Sequence, residues 1–232
     1  MDHKPGLLSR KWVRVLLYAV SALLLACGVF LLVREHVLLP DPDFVMPETP
    51  APTPEPTPEP TPVPGETPVP TPSPTPYVRP VPVRISFVEA KQSCEVFPGG
   101  VLENGQMEVI DRADAAPSLE NVSGSLRPAP GEEGNAIIAG HKSKDGVAGT
   151  FKVLWDAKAG DAVVIDYEDG TQGWFYIDSI DRYPYQEVPA SVMSANAESP
   201  QLTLITCIGE WDSSGGTSSE RLVAVCKPGL PA

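Results

Sequence analysis

The chain has 232 residues, and its 30 aspartates and glutamates outnumber 17 lysines and arginines to give a formal net charge of −13 at pH 7. Proteins that bind nucleic acid need the opposite balance, because lysine and arginine must neutralise the phosphates. We therefore exclude nucleic acid as a partner, and we interpret the acidity as a solubility feature of an extracellular protein.

The first predicted element is a membrane anchor. Residues 15–33 carry no charged side chain and consist mostly of Leu, Val and Ala. This length matches a bilayer hydrocarbon core of about 30 Å. Four lysines and arginines precede the apolar run, so the N-terminus is expected to stay cytoplasmic. We predict a cytoplasmic segment over residues 1–14 and a single-pass transmembrane anchor over residues 15–35, with everything that follows outside the cell.

Two alternatives compete with the anchor. A cleaved signal peptide has charged and apolar regions of similar appearance, but no small-x-small cleavage pattern follows here and the apolar run continues through residues 30–33. Lipidation of Cys27, after Leu24-Leu25-Ala26, is the other alternative. The residues after Cys27 remain apolar, whereas a lipoprotein normally turns polar there. The sequence favours an uncleaved anchor.

Residues 36–83 are predicted to form an extracellular Pro/Thr-rich linker. From about Pro40 to Pro82 it is built on Thr-Pro and Glu-Pro steps, which remove backbone donors, forbid helix and favour polyproline II. At about 3.1 Å per residue, some 43 residues reach on the order of 130 Å. We expect this linker to hold the next domain away from the membrane; a Pro-rich ligand for a partner is the alternative, although basic residues are almost absent.

Residues 84–232 have the size of one ordinary domain with its own core. A hairpin is predicted from Ala162–Tyr167 through a turn to Trp174–Ile177, and the turn Asn104-Gly105 precedes a strand pattern at Met107–Ile110. Closely spaced strands of this kind favour a β-barrel or sandwich. The few short helices are expected at residues 118–122, 151–155 and 190–196.

Three strand ends in this domain carry reactive or charged side chains. An apolar strand over residues 202–206 ends at Cys207, a second over residues 136–140 is followed by His141, and Arg221 begins a third. His141 is the only histidine of the exported domain, so a Cys–His mechanism there must use it. A thiol, an imidazole and a guanidinium at strand ends are the parts of a cysteine acyl transferase.

The other cysteines of the domain are interpreted as core residues. Cys226 lies five positions after Arg221 on the same strand pattern, so the two side chains should point to opposite faces. Cys94 belongs to an early strand pattern. Both are expected to behave as small buried apolar residues, with a Cys94–Cys226 disulfide as the alternative in an oxidising compartment.

We predict no metal or other cofactor. Glu168-Asp169 falls in the predicted hairpin turn, and Asp178 and Asp181 lack the close D-x-D-x-D-G spacing of a calcium loop.

The blocks around the three strand ends resemble the sortases, a family of cysteine transpeptidases, and most of all class F, with class E- and class D-like sortases next. The matching segments cover nearly all of the exported domain. They are Asn104-Gly105-Gln106-Met107-Glu108-Val109, Pro130-Gly131-Glu132-Glu133-Gly134-Asn135-Ala136-Ile137-Ile138-Ala139-Gly140-His141, Gly149-Thr150-Phe151, Ala157-Lys158-Ala159-Gly160-Asp161, the strand ending at Cys207 and the strand beginning at Arg221. The resemblance implies a closed eight-stranded β-barrel with a few short helices.

The resemblance also implies a reaction. Cys207 would attack the Thr–Gly carbonyl of an LPxTG-like sorting signal on a surface protein, His141 would protonate the departing amine, and Arg221 would donate hydrogen bonds near the oxyanion. Thr206 is a candidate for positioning the substrate. An amine acceptor of the cell envelope, such as a cell-wall peptide, would resolve the acyl-enzyme. The alternatives are a non-catalytic wall-binding or adhesin module on a Pro-rich stalk, and a cysteine hydrolase that uses the same triad.

Two departures from the family pattern bear on the subclass. The aromatic Trp-Tyr pair usual between the two early motifs is absent, and Val122-Ser123-Gly124 stands nearby. Pilin-joining sortases carry an Asp-Pro lid before the histidine, and none occurs between Arg84 and His141. The only such sequence, Asp41-Pro42-Asp43-Phe44, falls in the linker. The sequence therefore favours an enzyme that anchors single proteins.

Overall fold

The computed structural model describes residues 18–23, 25, 40–50, 77–102, 107–108, 110–122 and 125–230. Within these residues the domain contains twelve strands and one 3₁₀ helix. In chain order they are β1 (Pro82–Phe87), β2 (Gln92–Gly99), β3 (Ala115–Leu119), β4 (Asn121–Val122), β5 (Ser125–Leu126), β6 (Asn135–Gly140), β7 (Ser143–Lys144), β8 (Val147–Ala148), the 3₁₀ helix (Thr150–Trp155), β9 (Ala162–Tyr167), β10 (Gln172–Pro184), β11 (Gln201–Asp212) and β12 (Thr217–Pro228).

Eight of these strands close into a barrel in the order β1-β2-β3-β6-β11-β12-β10-β9. The pairs β2–β3 and β6–β11 are parallel, and the other pairs are antiparallel. The remaining strands form two small ribbons, β4–β5 and β7–β8. The barrel expected from the sequence is therefore confirmed, and so are the hairpin β9–β10 and the early strand that contains Cys94.

Strand alternation fills the barrel. Leu202 and Leu204 of β11, Leu222 of β12 and Ile138 of β6 point inward and belong to one apolar core. Phe151 of the 3₁₀ helix is 1% exposed and packs against Gly140, where a Cβ would come within 2.2 Å of its ring. This contact fixes the helix beside the end of β6.

Of the three predicted helices, only residues 151–155 are helical, within the 3₁₀ turn. The helix at residues 118–122 is wrong, because every residue of β3 is buried and the pattern lacks the polar face that a surface helix would show. The helix at residues 190–196 is also wrong. Its carbonyls at Val192 and Ser194 accept hydrogen bonds from Asn135 Nδ2, at 3.0 and 2.9 Å, and the segment forms turns. The strand at Met107–Ile110 reduces to one bridge between Val101 and Met107, and the turn Asn104-Gly105 lies outside the described residues.

The described N-terminal residues include 18–23 and 25, which are helical, whereas most of the predicted anchor lies outside the described residues. Among the residues that the structure describes, no helix combines the length and apolar composition needed to cross a bilayer. Contacts of the domain begin before residue 84: Arg79 Nη2 donates to Arg127 O at 2.6 Å, and Tyr77 donates to the Glu132 carboxylate. Of the linker, residues 40–50 and 77–83 are described.

Candidate active site

The three predicted catalytic positions lie on neighbouring strands at one end of the barrel. In the parallel pair β6–β11, Gly140 is opposite Thr206, so His141 and Cys207 each follow one residue later. In the antiparallel pair β11–β12, Cys207 is directly opposite Arg221. With strands about 4.8 Å apart, the structure forms a row in the order His141, Cys207, Arg221, with the cysteine in the centre.

All three side chains belong to the outer face of the barrel. The core residues Leu204, Ile208 and Leu222 occupy the inward positions of β11 and β12, and Cys207 and Arg221 have the opposite parity. Cys207, His141 and Arg221 are each partly exposed. A substrate can therefore approach the row from solvent without entering the barrel.

The backbone orients the imidazole of His141. Its Nε2 lies 3.0 Å from Ile110 O, and because a carbonyl oxygen only accepts, Nε2 carries the proton of that hydrogen bond. Gly149 packs against the same residue so closely that a Cβ there would lie 2.1 Å from His141 O. Gly149 N also donates to Lys142 O at 2.9 Å. The β7–β8 ribbon therefore folds back onto the histidine and fixes its position.

The guanidinium of Arg221 is held along its own strand. Nη1 donates to Ser218 O at 3.0 Å and to Glu220 O at 3.1 Å, and Nη2 donates to Thr217 Oγ1 at 2.8 Å. The guanidinium carbon also lies 5.5 Å from the centre of the Tyr185 ring. The planar cation is thus held on one side by a ring and along its edge by oxygens.

A β-bulge follows the cysteine immediately. The β11–β12 register shifts between Ile208 and Trp211, and Gly209 has φ +79°, a backbone conformation that suits glycine. A Cβ at Gly209 would also lie 2.4 Å from Ser219 Oγ. Bulges re-aim the side chains next to them, and this one interrupts the regular pairing of β11 with β12 just beyond Cys207.

Two side chains from other elements hold the backbone around the bulge. Trp155 Nε1 donates to Cys207 O at 3.2 Å, and Lys142 Nζ donates to Gly209 O at 3.1 Å. Lys142 Nζ and Lys152 Nζ lie 5.9 and 5.4 Å from the centre of the Trp155 ring. The surroundings of the cysteine backbone are therefore cationic on this side, as they are at Arg221 on the other.

Thr206 lies on the opposite face from Cys207. It is 2% exposed, and its hydroxyl donates to Gly140 O at 2.9 Å. The hydroxyl thus ties β11 to β6 one residue before the cysteine and the histidine. A role for Thr206 in positioning substrate would act through this link between the two strands.

Cys94 and Cys226 are buried in the core, and all three cysteines that the structure describes are unpaired, so the alternative disulfide is not formed. Burial raises the pKa of the Cys94 thiol to about 12, and it raises the pKa of Cys226 well above the ordinary range. Cys207 is therefore the accessible thiol of the described domain.

The connection between β10 and β11 is bound at the start of β6. Asn135 is 1% exposed; its Oδ1 accepts from Thr203 Oγ1 at 2.7 Å while its Nδ2 binds the connection. Arg127 Nη1 adds a bond to Met193 O at 3.0 Å. These buried polar contacts hold the connection at the start of β6 and β11, and Asn135 is six residues, or about 20 Å of strand, from His141.

Three residues near the row were not identified from the sequence. Tyr185 and Lys142 read as ordinary loop residues, and Trp155 only marked the end of a predicted helix. Nothing in their spacing relates them to Cys207. The polar loop after His141 was the one signal that could have pointed to Lys142.

A family model described as a sortase domain matches residues 100–229, which is more than half of the chain. A comparison with curated proteins found no match. Among solved structures, sortase E1 from Streptomyces coelicolor, determined with a tripeptide in its active site, is 18% identical with a TM-score of 0.50, covering 64% of this chain and 88% of that one.

Two further solved structures are similar. Sortase A from Corynebacterium diphtheriae is 22% identical with a TM-score of 0.47, covering 67% of this chain, and this chain spans 63% of its length. A lid mutant of sortase C1 from Streptococcus agalactiae is 17% identical with a TM-score of 0.46, covering 65% of this chain and 70% of that one. At these identities the likeness concerns the fold.

Proposed function

The chain belongs to the sortase family of cysteine transpeptidases, and we propose that its own row of His141, Cys207 and Arg221 cleaves a peptide bond and transfers the acyl group to an amine. The observation that supports this most is the strand register, which sets the accessible cysteine between the other two residues. A non-catalytic module would not need that register.

In the first step the thiol of Cys207 gives its proton to His141, Sγ attacks the carbonyl carbon, and the C–N bond of the substrate breaks as the thioester forms. The departing amine takes a proton from the imidazole of His141. Because Nε2 is committed to Ile110 O, we assign the proton exchange to Nδ1. The carbonyl of Ile110 then fixes the ring orientation, which is the role a carboxylate has in a Ser-His-Asp triad.

Arg221 supplies the positive charge at the developing oxyanion. Its two terminal nitrogens already have acceptors on β12, so the guanidinium is confined before substrate arrives. A preorganised donor loses little freedom when negative charge forms on the substrate oxygen. In the second step an amine attacks the thioester, a new amide forms, and the thiol of Cys207 leaves.

The substrate class is an LPxTG-like sorting signal on surface proteins, cleaved at its Thr–Gly bond, and the acceptor is an amine of the cell envelope. These assignments rest on the motifs around His141, Cys207 and Arg221, which resemble class F sortases more than other classes. The uncharged run at residues 15–33 supports a single-pass membrane enzyme with its catalytic domain outside.

The test is turnover of a fluorogenic peptide that contains an LPxTG-like sequence, with and without an added amine. The domain used should begin at Tyr77, so that the contacts of Tyr77 with Glu132 and of Arg79 with Arg127 are kept. We expect a thioacyl adduct on Cys207 by mass spectrometry and an amide product with the amine. Release of the free acid alone, at a rate unchanged by the amine, would identify a hydrolase. Absence of both adduct and cleavage with a panel of sorting-signal peptides would favour a binding module.

A further inference from the structure

Residues 40–50 form a strap along the outside of the barrel. Asp41 N donates to Lys91 O at 2.9 Å, in the turn between β1 and β2, and Ser93 Oγ donates to Asp41 Oδ2 at 3.4 Å. Arg84 Nη1 donates in turn to Ser93 Oγ at 3.2 Å. At the other end of the strap, Glu48, Thr49 and Pro50 line a cavity of about 540 Å³ together with Gly170, Gln172 and Trp174.

The strap begins with a turn at residues 42–43, in which Phe44 N donates to Asp41 O at 3.1 Å, and every third residue from Asp41 faces the barrel. Asp41, Phe44 and Pro47 are partly buried, and the residues between them are exposed. Residues 44–50 form no turn. At the polyproline II rise of about 3.1 Å per residue, the four steps from Phe44 to Glu48 span about 12 Å.

The two ends of the strap lie at opposite ends of the barrel. Lys91 belongs to the β1–β2 turn, whereas residues 168–170 form the β9–β10 turn. The end of β9, just before that turn, pairs with the start of β1. The chain enters β1 at that same end, because Glu168 N donates to Val81 O at 2.9 Å. Pro50 lies at this end of the barrel, beside Gly170.

The register of the sheet shows which end carries the catalytic row. β2 starts at the β1–β2 turn, β3 runs parallel to β2, and β6 runs antiparallel to β3 and parallel to β11. The C-terminal end of β6 and Cys207 near the end of β11 thus lie at the end where Asp41 is bound.

We infer that the strap holds the catalytic end of the barrel towards the membrane, so that the enzyme acts on peptide bonds held close to the bilayer. This inference rests on the proposed membrane anchor at residues 15–35. Six residue steps from Glu35 to Asp41 reach at most about 20 Å even when fully extended. A wholly extended linker of some 43 residues would reach on the order of 130 Å. Binding of the strap to the barrel therefore shortens the distance between the bilayer and the catalytic end several-fold.

The experiment uses the full-length chain in lipid vesicles with Cys27→Ser and Cys207→Ala, which leaves the buried Cys94 and Cys226. A fluorophore is attached at Ser213→Cys, in the exposed β11–β12 turn of the catalytic end, or at Glu168→Cys, at the exposed opposite end. With a quencher on the lipid headgroups, we expect at least two-fold stronger quenching at position 213 than at position 168.

Asp41→Pro removes both the N–H donor to Lys91 and the carboxylate bound to Ser93. Quenching at positions 213 and 168 should then be equal. Asp43→Ala is the matched control, because Asp43 is exposed and uses only its N–H, towards Asp41 Oδ1; it should preserve the difference. The pair Asp41→Cys and Ser93→Cys should form a disulfide that keeps the strap bound to the barrel. The difference in quenching between positions 213 and 168 should then remain. Equal quenching in the parent, or a difference that survives Asp41→Pro, would overturn the inference.

Two further readouts separate this inference from the proposed function. Flotation of the vesicles tests the anchor, and turnover of a soluble peptide by the otherwise native chain with Asp41→Pro tests catalysis; we expect a rate within two-fold of wild type. If the protein floats with the vesicles and cleaves the peptide but the labels are quenched equally, only the orientation is wrong.

Discussion

Cys207 and Arg221 are directly opposite each other on β11 and β12, yet the described hydrogen bonds of the guanidinium go to β12 itself. Directly opposed residues have Cβ atoms about 4.5–5.5 Å apart. The cation is therefore held near the thiol by its own strand and by Tyr185, which leaves the space above the thiol to the substrate.

The first prediction is that Cys207→Ala abolishes acyl transfer, whereas Cys94→Ala and Cys226→Ala retain most of the activity. Of the three cysteines that the structure describes, only Cys207 is accessible, and the other two side chains belong to the core. Truncating a buried thiol should cost stability, about 1 kcal/mol for each. Peptide turnover together with thermal unfolding measures both effects. Activity in folded Cys207→Ala would remove this residue from the mechanism.

Arg221→Lys is expected to lower kcat by roughly 10²–10³, the usual effect of losing a donor aimed at an oxyanion. Lysine cannot reproduce the planar fork that contacts Ser218, Glu220 and Thr217 together. Steady-state kinetics on the variant, with folding checked by circular dichroism, decides the matter. A rate within a few-fold of wild type would mean that only the charge is needed.

Tyr185→Ala should lower kcat about five-fold, which corresponds to about 1 kcal/mol from a cation–π contact. Tyr185→Phe is the matched variant, because it keeps the ring that faces Arg221 and removes only the hydroxyl that accepts from Gln186. It should behave like wild type. In an Arg221→Ala background Tyr185→Ala should have no additional effect; an additive loss would show that the tyrosine acts independently of the arginine.

Gly149→Ala should reduce activity severely, because the new Cβ would lie 2.1 Å from His141 O and the histidine must shift. Gly146→Ala in the adjacent turn is the control. It meets no atom within 4 Å but has φ +73°, so it should cost about 1 kcal/mol of stability and leave kcat nearly unchanged. Comparable kcat values for the two variants would show that the position of His141 tolerates this displacement.

The buried thiol of Cys94 predicts a dependence of stability on pH. Burial raises its pKa from 9.0 to about 12 in the folded state. Below pH 9 the thiol is protonated in both states; above it the unfolded chain releases the proton first, so the free energy of unfolding falls as the pH rises. Between pH 9 and 11 the free energy of unfolding of Cys94→Ala, measured with denaturant, should fall less steeply than that of wild type. The two slopes should differ by at most about 1.4 kcal/mol per pH unit. If the free energy of unfolding depended on pH equally in wild type and Cys94→Ala, the raised pKa of Cys94 would be contradicted.

Strand periodicity is local, so it predicted the strands and a barrel or sandwich. The choice of a closed barrel, and the joint role of His141, Cys207 and Arg221 at three strand ends, came from the resemblance to sortases. The parity argument also placed Cys226 in the core. Tertiary contacts decided the rest: Asn135 holds the segment expected as a helix at residues 190–196, and Tyr185, in the turn after β10, packs against Arg221. Those partners lie far apart in sequence, so no spacing pattern relates them. The contact of Asp41 with Lys91 likewise connects a proline-rich segment with a turn 50 residues away.

The parallel pairing of β6 with β11 has a consequence for how the protein acquires reactivity. The two strands are separated along the chain by the whole of β7–β10, so their register is a non-local contact, and such contacts form slowly. His141 and Cys207 become neighbours only when this pairing forms. A copy of the protein that lacks the β6–β11 pairing therefore lacks the catalytic row.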